Sequence, residues 1–133
     1  MTHRILHPDG WARPRGYENG ISAQGRTIMV AGQIGWNAQQ QLVAGDLVAQ
    51  ARQALQNIVA ILAVDGARPE HLVRLTWYVT DRKAYLDAGA ALGAAYRDVI
   101  GRHFPAMTAM AVSALIEEGA LVEIEATAIV PDA

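Results

Sequence analysis

The chain has 133 residues, 52% of them hydrophobic, with 11 Lys and Arg against 13 Asp and Glu for a net charge of -2. This length suits a single α+β domain spanning 1–133 with a core of its own, and a near-neutral chain without a basic stripe argues against nucleic acid as a partner. No uncharged apolar run approaches the roughly 20 residues of a membrane-spanning helix, and the absence of cysteine removes disulfides, thiolate nucleophiles and cysteine–zinc sites and fits the cytoplasm.

The first 20 residues are dense in turn formers, among them Pro8, Gly10, Pro14, Gly16 and Gly20. They predict a short edge strand near residues 3–6 and then an irregular loop. Residues 20–23 and 27–31 read as strands, joined as a tight hairpin through Gln24-Gly25-Arg26. Gly32 and Gly35 end the second strand and mark unusual geometry or a close approach. Residues 46–65 carry the strongest helical pattern, with Leu47, Ala51, Ala54, Leu55, Ile58, Ile61 and Leu62 at spacings of three and four. Asp46 is the expected N-cap and Gly66 the stop, and Gln50, Arg52, Gln53 and Gln56 fall mostly on other faces.

Residues 72–80 alternate Val73, Leu75, Trp77 and Val79 with Arg74, Thr76, Tyr78 and Thr80, which predicts a strand. Asp81 caps a second helix running to about Ile100, with Tyr85, Ala88, Leu92, Ala95, Tyr96 and Val99 as its buried stripe and Gly101 as its end. Residues 106–112 and 120–129 read as two more strands, the last alternating Val122, Ile124, Ala126 and Ala128 with Glu123, Glu125 and Thr127. The economical assembly is one mixed sheet with two helices packed on one face. The other face then carries Arg74, Thr76, Tyr78, Glu123 and Glu125, and is either solvated or turned toward another copy.

The four histidines (His3, His7, His71 and His103) form no metal-binding spacing, and no cofactor is implied. Ser22 and Ser113 sit in no nucleophile-elbow pattern, and the glycines match no phosphate-binding loop. Glu123 is either a proton-exchanging carboxylate in a cleft or a strand residue paired with Arg74. Trp77 reads as core. Trp36, after Gly35, is either a stacking surface for a planar ligand or an interface plug. His103 is either an acid–base group or a surface histidine at a helix end.

Five segments in order resemble the RidA/YjgF family, also labelled L-PSP endoribonuclease-like. They are Gly16-Tyr17-Glu18-Asn19-Gly20, Val30-Ala31-Gly32-Gln33-Ile34-Gly35, residues 50–58 (QARQALQNI), Phe104-Pro105-Ala106-Met107-Thr108, and Val122-Glu123-Ile124-Glu125-Ala126-Thr127-Ala128. The resemblance implies a chorismate-mutase-like domain assembled as a homotrimer, with a small-molecule site in each inter-subunit cleft. It implies hydrolysis of reactive imines and enamines with release of ammonia, and catalytic roles for Glu123 and Tyr17. The matching pocket positions are Ala31, Gly32, Gly93, Met107 and Ala109, with Trp36 nearby. Met107 stands where the family has a carboxylate-binding arginine, and methionine cannot make a charge-assisted pair. A substrate other than 2-aminoacrylate is therefore expected, with Arg15, Arg74, Arg102 or His103 as stand-ins for the missing group. The alternative is a non-catalytic binding or regulatory trimer using the same cleft. Ribonuclease activity is the least favoured reading.

Overall fold

The computed structural model describes residues 3–43 and 45–132. Among the described residues there are six strands, β1 (Arg4–Leu6), β2 (Gly20–Ser22), β3 (Arg26–Ile34), β4 (Leu72–Val79), β5 (Ala106–Ala111) and β6 (Val122–Val130), and α-helices α1 (Leu47–Val64), between β3 and β4, and α2 (Arg82–Asp87) and α3 (Gly89–Val99), between β4 and β5. The main sheet has the order β3-β6-β4-β5. β6 is antiparallel to both its neighbours, while β4 and β5 run parallel, so the sheet is mixed as expected.

α1 begins and ends where its capping chemistry dictates. The Asp46 carboxylate accepts from the Ala49 amide at 2.9 Å. At the other end Gly66 takes φ +72°, the left-handed conformation that glycine adopts without a Cβ penalty. The Ala67 amide then reaches back to the Leu62 carbonyl at 3.0 Å. Between these caps Leu55, Ile58 and Leu62 are fully buried, as are Leu72, Leu75, Val122 and Ile124 of β4 and β6. This apolar layer is the core, and burying each such side chain stabilises by roughly 1.5–3 kcal/mol.

Five sequence expectations are corrected. β2 forms no hairpin with β3; it pairs with β1 in a separate two-stranded ribbon. Gly25, at φ +144°, is pressed against the Val130–Pro131 backbone, and β3 leaves that point to pair with β6 instead. The second helix is two helices, broken at Ala88, with the poor helix former Gly89 opening α3. A register shift between Leu72 and Arg74 gives the inward place in β4 to Leu72, leaving Val73 half-buried. Ile61 is 37% exposed, at the margin of the α1 stripe. Gln50, assigned to the polar side, is buried because its amide group donates to the Gly119 carbonyl at 3.1 Å and accepts from the Leu121 amide at 2.8 Å.

Candidate functional site

The two glycines ending β3 are both close approaches, on different structures. The β3–β6 register slips between Val30 and Gln33, and Gln33 Nε2 donates to the Ala31 carbonyl at 3.0 Å across the irregularity. At Gly32 an added Cβ would overlap the Glu123 carboxylate, so the missing side chain makes the place that Glu123 occupies. At Gly35 a Cβ would lie 2.6 Å from Cα of Gln50, so that glycine lets α1 pack against the strand end. Asn57 on α1 fastens the same corner, its Nδ2 donating to the carbonyls of Ile34 at 3.3 Å and Trp36 at 2.8 Å.

Alternation places Glu123 and Glu125 together on the face away from the helices, yet their surroundings differ. Glu125 accepts a short hydrogen bond from the Tyr78 hydroxyl, and that bond raises the tyrosine above its usual range and keeps it a donor. Glu123 has no hydrogen-bond or ion-pair partner among the described residues. Arg74, its suggested partner, donates instead to Thr108 Oγ1 at 3.4 Å. Ala31, Gly32 and Glu123 thus form a ledge at the β3 side of the sheet carrying a carboxylate without a protein partner.

A cavity of about 340 Å³ lies at the opposite side, between α2, α3 and β5. Its wall is aromatic. Trp77 and Tyr85 meet edge to face with centroids 6.2 Å apart, and Tyr96 stacks on Phe104 at 5.4 Å. Burial raises the Tyr85 and Tyr96 hydroxyls, so both stay neutral. Met107 and Gly93 line the same space, together with Arg15 and Gly16 of the N-terminal loop and Arg97 of α3. The loop is pinned there by the Glu18 amide, which donates to the Pro105 carbonyl at 3.0 Å, and by a bridge from Glu18 to Ala106.

The residues singled out in the sequence therefore fall into two groups. β3 and β5 are the two edges of the main sheet. Met107 is level with Leu75 on the helix-covered face, whereas Glu123 is level with Tyr78 on the other. Within the chain, Glu123 and Met107 therefore do not meet. Tyr17, exposed and one residue from Gly16, travels with the Met107 group. Ala109 lies two residues along β5 in a smaller hollow that shares Tyr85 and Leu86 with the cavity. Trp36 is half-buried in the loop after β3 and lines neither space.

The stand-ins for a cation separate in the same way. Arg15 lines the cavity. Arg74 lies on the opposite face, and Arg102 and His103 line a different hollow with His3 and His71. His103 is a structural link, its Nε2 2.7 Å from the Leu72 carbonyl and its own carbonyl accepting from Tyr96. Arg97 was missed from the sequence. It follows Gly93 by four residues on α3, a spacing that puts both on one face, and its guanidinium lies over the glycine.

Residues 12–130 match the endoribonuclease L-PSP family. The chain belongs to this family, the RidA/YjgF proteins. This RidA/YjgF member is 33% identical to protein DfrA of Myxococcus xanthus, with 97% of each chain covered. It is 38% identical to the 2-iminobutanoate/2-iminopropanoate deaminase of Capra hircus over 105 residues, 78% of this chain and 73% of that one. Among solved structures it is similar to the Rid-family protein YyfB of Yersinia pestis, with 36% identity, a TM-score of 0.84, and coverage of 98% of this chain and all of that one.

Proposed function

We propose that the chain hydrolyses reactive imines and enamines, releasing ammonia, in a cleft shared between neighbouring copies of a homotrimer with the chorismate-mutase-like arrangement. The observation that carries this reading is the division of the site. The Gly32–Glu123 ledge, at the β3–β6 side, and the Met107–Gly93 cavity, at the β5 edge, lie toward opposite sides and on opposite faces of one sheet. A head-to-tail ring brings the ledge of one copy to the cavity of the next. The helix-free face also carries large apolar side chains that a partner would cover, with Met29 74% and Met110 42% exposed. The named activity of the caprine relative supports the reaction class.

The chemistry asks for a group that takes and returns one proton. Glu123 holds a water and accepts its proton as the oxygen adds to the imine carbon. The C=N electrons move to nitrogen and Glu123 returns that proton to it, giving a carbinolamine; Glu123 then carries the hydroxyl proton to the same nitrogen as the C–N bond breaks, so that ammonia leaves with a carbonyl compound behind. Tyr17, beside the cavity mouth, donates a hydrogen bond to the substrate.

Imines generated in solution by an amino-acid oxidase supply the assay, with their decay followed in the presence of the protein. Glu123→Gln and a cavity-blocking Gly93→Trp are each expected to abolish acceleration. Unfolded and reassembled as an equal mixture, the two variants regain about a quarter of the wild-type rate, because random rings contain intact hybrid sites. No recovery with both variants assembled would sink the shared site. No acceleration of any imine by the wild type would leave the binding-module reading, which the methionine at position 107 favours.

A further inference from the structure

On the helix-free face one hydroxyl stands between two carboxylates. Tyr78 on β4 is directly opposite Glu123 on β6, and Glu125 is its diagonal neighbour. Opposed side chains on one face are about 4.5–5.5 Å apart at Cβ, and an aromatic one also reaches the diagonal position. The Tyr78 hydroxyl takes the diagonal and donates to Glu125. Glu123 still acts on it. The tyrosine is raised first by its hydrogen bond to Glu125, then by desolvation and by the charges of Glu125 and Glu123, with Arg74 opposing.

Two independent features keep Glu123 out of this bond. The first is space on its other side. β6 lies between β3 and β4, and the Glu123 carboxylate occupies the place over Gly32 of β3 that a Cβ would fill. The second is the charge at position 125. No cation is paired with Glu125 among the described residues, and Arg74 is turned to Thr108 Oγ1 at 3.4 Å. The phenol proton therefore goes to Glu125 as a charge-assisted bond, roughly twice as strong as one to a neutral acceptor. With position 125 uncharged, Glu123 is the remaining anion acting on the phenol.

We propose that Glu125 is a positioning residue for Glu123: it holds the Tyr78 hydroxyl along the diagonal and so leaves the Glu123 carboxylate over Gly32 with its lone pairs open to a water. Tyr78 takes no part in the chemistry; it is a donor that must be kept occupied. A carboxylate that accepts from a phenol is held in its charged form, which works against taking a proton from water. In its catalytic consequence this rests on the hydrolase reading; the choice of acceptor by Tyr78 stands apart from turnover.

Two measurements on the full-length protein test it. In the first, isotope-labelled tyrosine is followed by NMR as pH is raised, with Tyr78 assigned through Tyr78→Phe. Its elevated ionisation is expected to persist in Glu125→Gln, because the hydroxyl moves to Glu123, and to fall back in the Glu123→Gln, Glu125→Gln double variant. A fall already complete in Glu125→Gln would overturn the proposal. In the second, imine decay gives kcat and KM. Glu125→Gln is expected to lower kcat about tenfold, the worth of one charge-assisted hydrogen bond, with KM little changed. Tyr78→Phe keeps the wild-type kcat, and Tyr78→Phe added to Glu125→Gln restores it. A pair that merely braced the sheet would behave otherwise: either single change breaks the same bond, both cost the same, and the double variant recovers nothing. That pattern would also overturn the proposal. A Tyr78 that stays elevated in Glu125→Gln, in a protein whose wild type turns over no imine, would keep the exchange of acceptors and remove the hydrolase reading. Wild-type turnover with a Tyr78 that falls back in Glu125→Gln would do the reverse.

Discussion

Two glutamates two residues apart on one strand face have been given different work by their neighbours. Tyr78 engages Glu125, while Gly32 makes room for Glu123 and leaves its carboxylate free. Glu123→Gln is therefore expected to abolish imine hydrolysis with stability changed by no more than about 0.5 kcal/mol, and Glu125→Gln to cost far less activity. Steady-state rates beside denaturant unfolding check both. Met107→Arg is the complementary change. A buried charge-assisted contact is worth about 2–5 kcal/mol, so a guanidinium placed in this cavity is expected to raise turnover of 2-aminoacrylate by tenfold or more. A coupled assay with a pyridoxal-phosphate lyase generating the imine reads the gain; no gain would show that Arg15 and Arg97 already fill that role.

At the scale of elements, glycine positions decide how closely α1 and β3 approach. Gly35→Ala would set a Cβ 2.6 Å from the Gln50 Cα, a backbone atom that cannot swing aside. The expected cost is about 1–3 kcal/mol, as for other overpacked sites, read as a lowered denaturation midpoint. Gly93→Ala meets only the flexible end of Arg97 at 3.3 Å and should be nearly neutral. The short 3₁₀ turn Pro69–His71 that leads into β4 is held by His71 Nδ1, which accepts from the Arg68 amide at 3.0 Å. Desolvation lowers His71 below its ordinary 6.5, with Arg68, His3 and Arg26 adding to the effect and Glu70 opposing it. Because the folded value is depressed, the turn's contribution is present above about pH 6.5 and is lost as pH falls through the folded value. Unfolding midpoints measured between pH 7.5 and 5 are expected to fall, and His71→Gln, which keeps an acceptor without the titration, to flatten that slope.

For the whole molecule, the helix-free face is the main prediction. It joins Glu123, Glu125, Tyr78, Thr76 and Thr108 with the exposed Met29 and Met110. Light scattering behind size exclusion is expected to give three times the 14.3 kDa chain mass at micromolar concentration. A mass equal to one chain would remove the shared cleft and with it the route by which Glu123 meets the cavity.

The sequence by itself determined the order of the strands along the chain, the place of α1 and its capping by Asp46 and Gly66, the two faces of β6 and the family to which the chain belongs. These follow from local periodicity, from side-chain hydrogen bonds within one turn, and from ordered motifs, none of which needs a distant residue. Only the tertiary structure decided that β2 leaves β3 for β1, that Gln50 is buried, and that the candidate site is split across the sheet with Arg97 over Gly93. The physical reason is the same in each case. The β3–β6 ladder, the Gln50 contacts with Gly119 and Leu121, and the placing of Met107 on the β5 edge with Glu123 on the other face of the sheet join positions far apart in the chain. Such contacts are set by how layers pack and registers slip, which local periodicity does not encode.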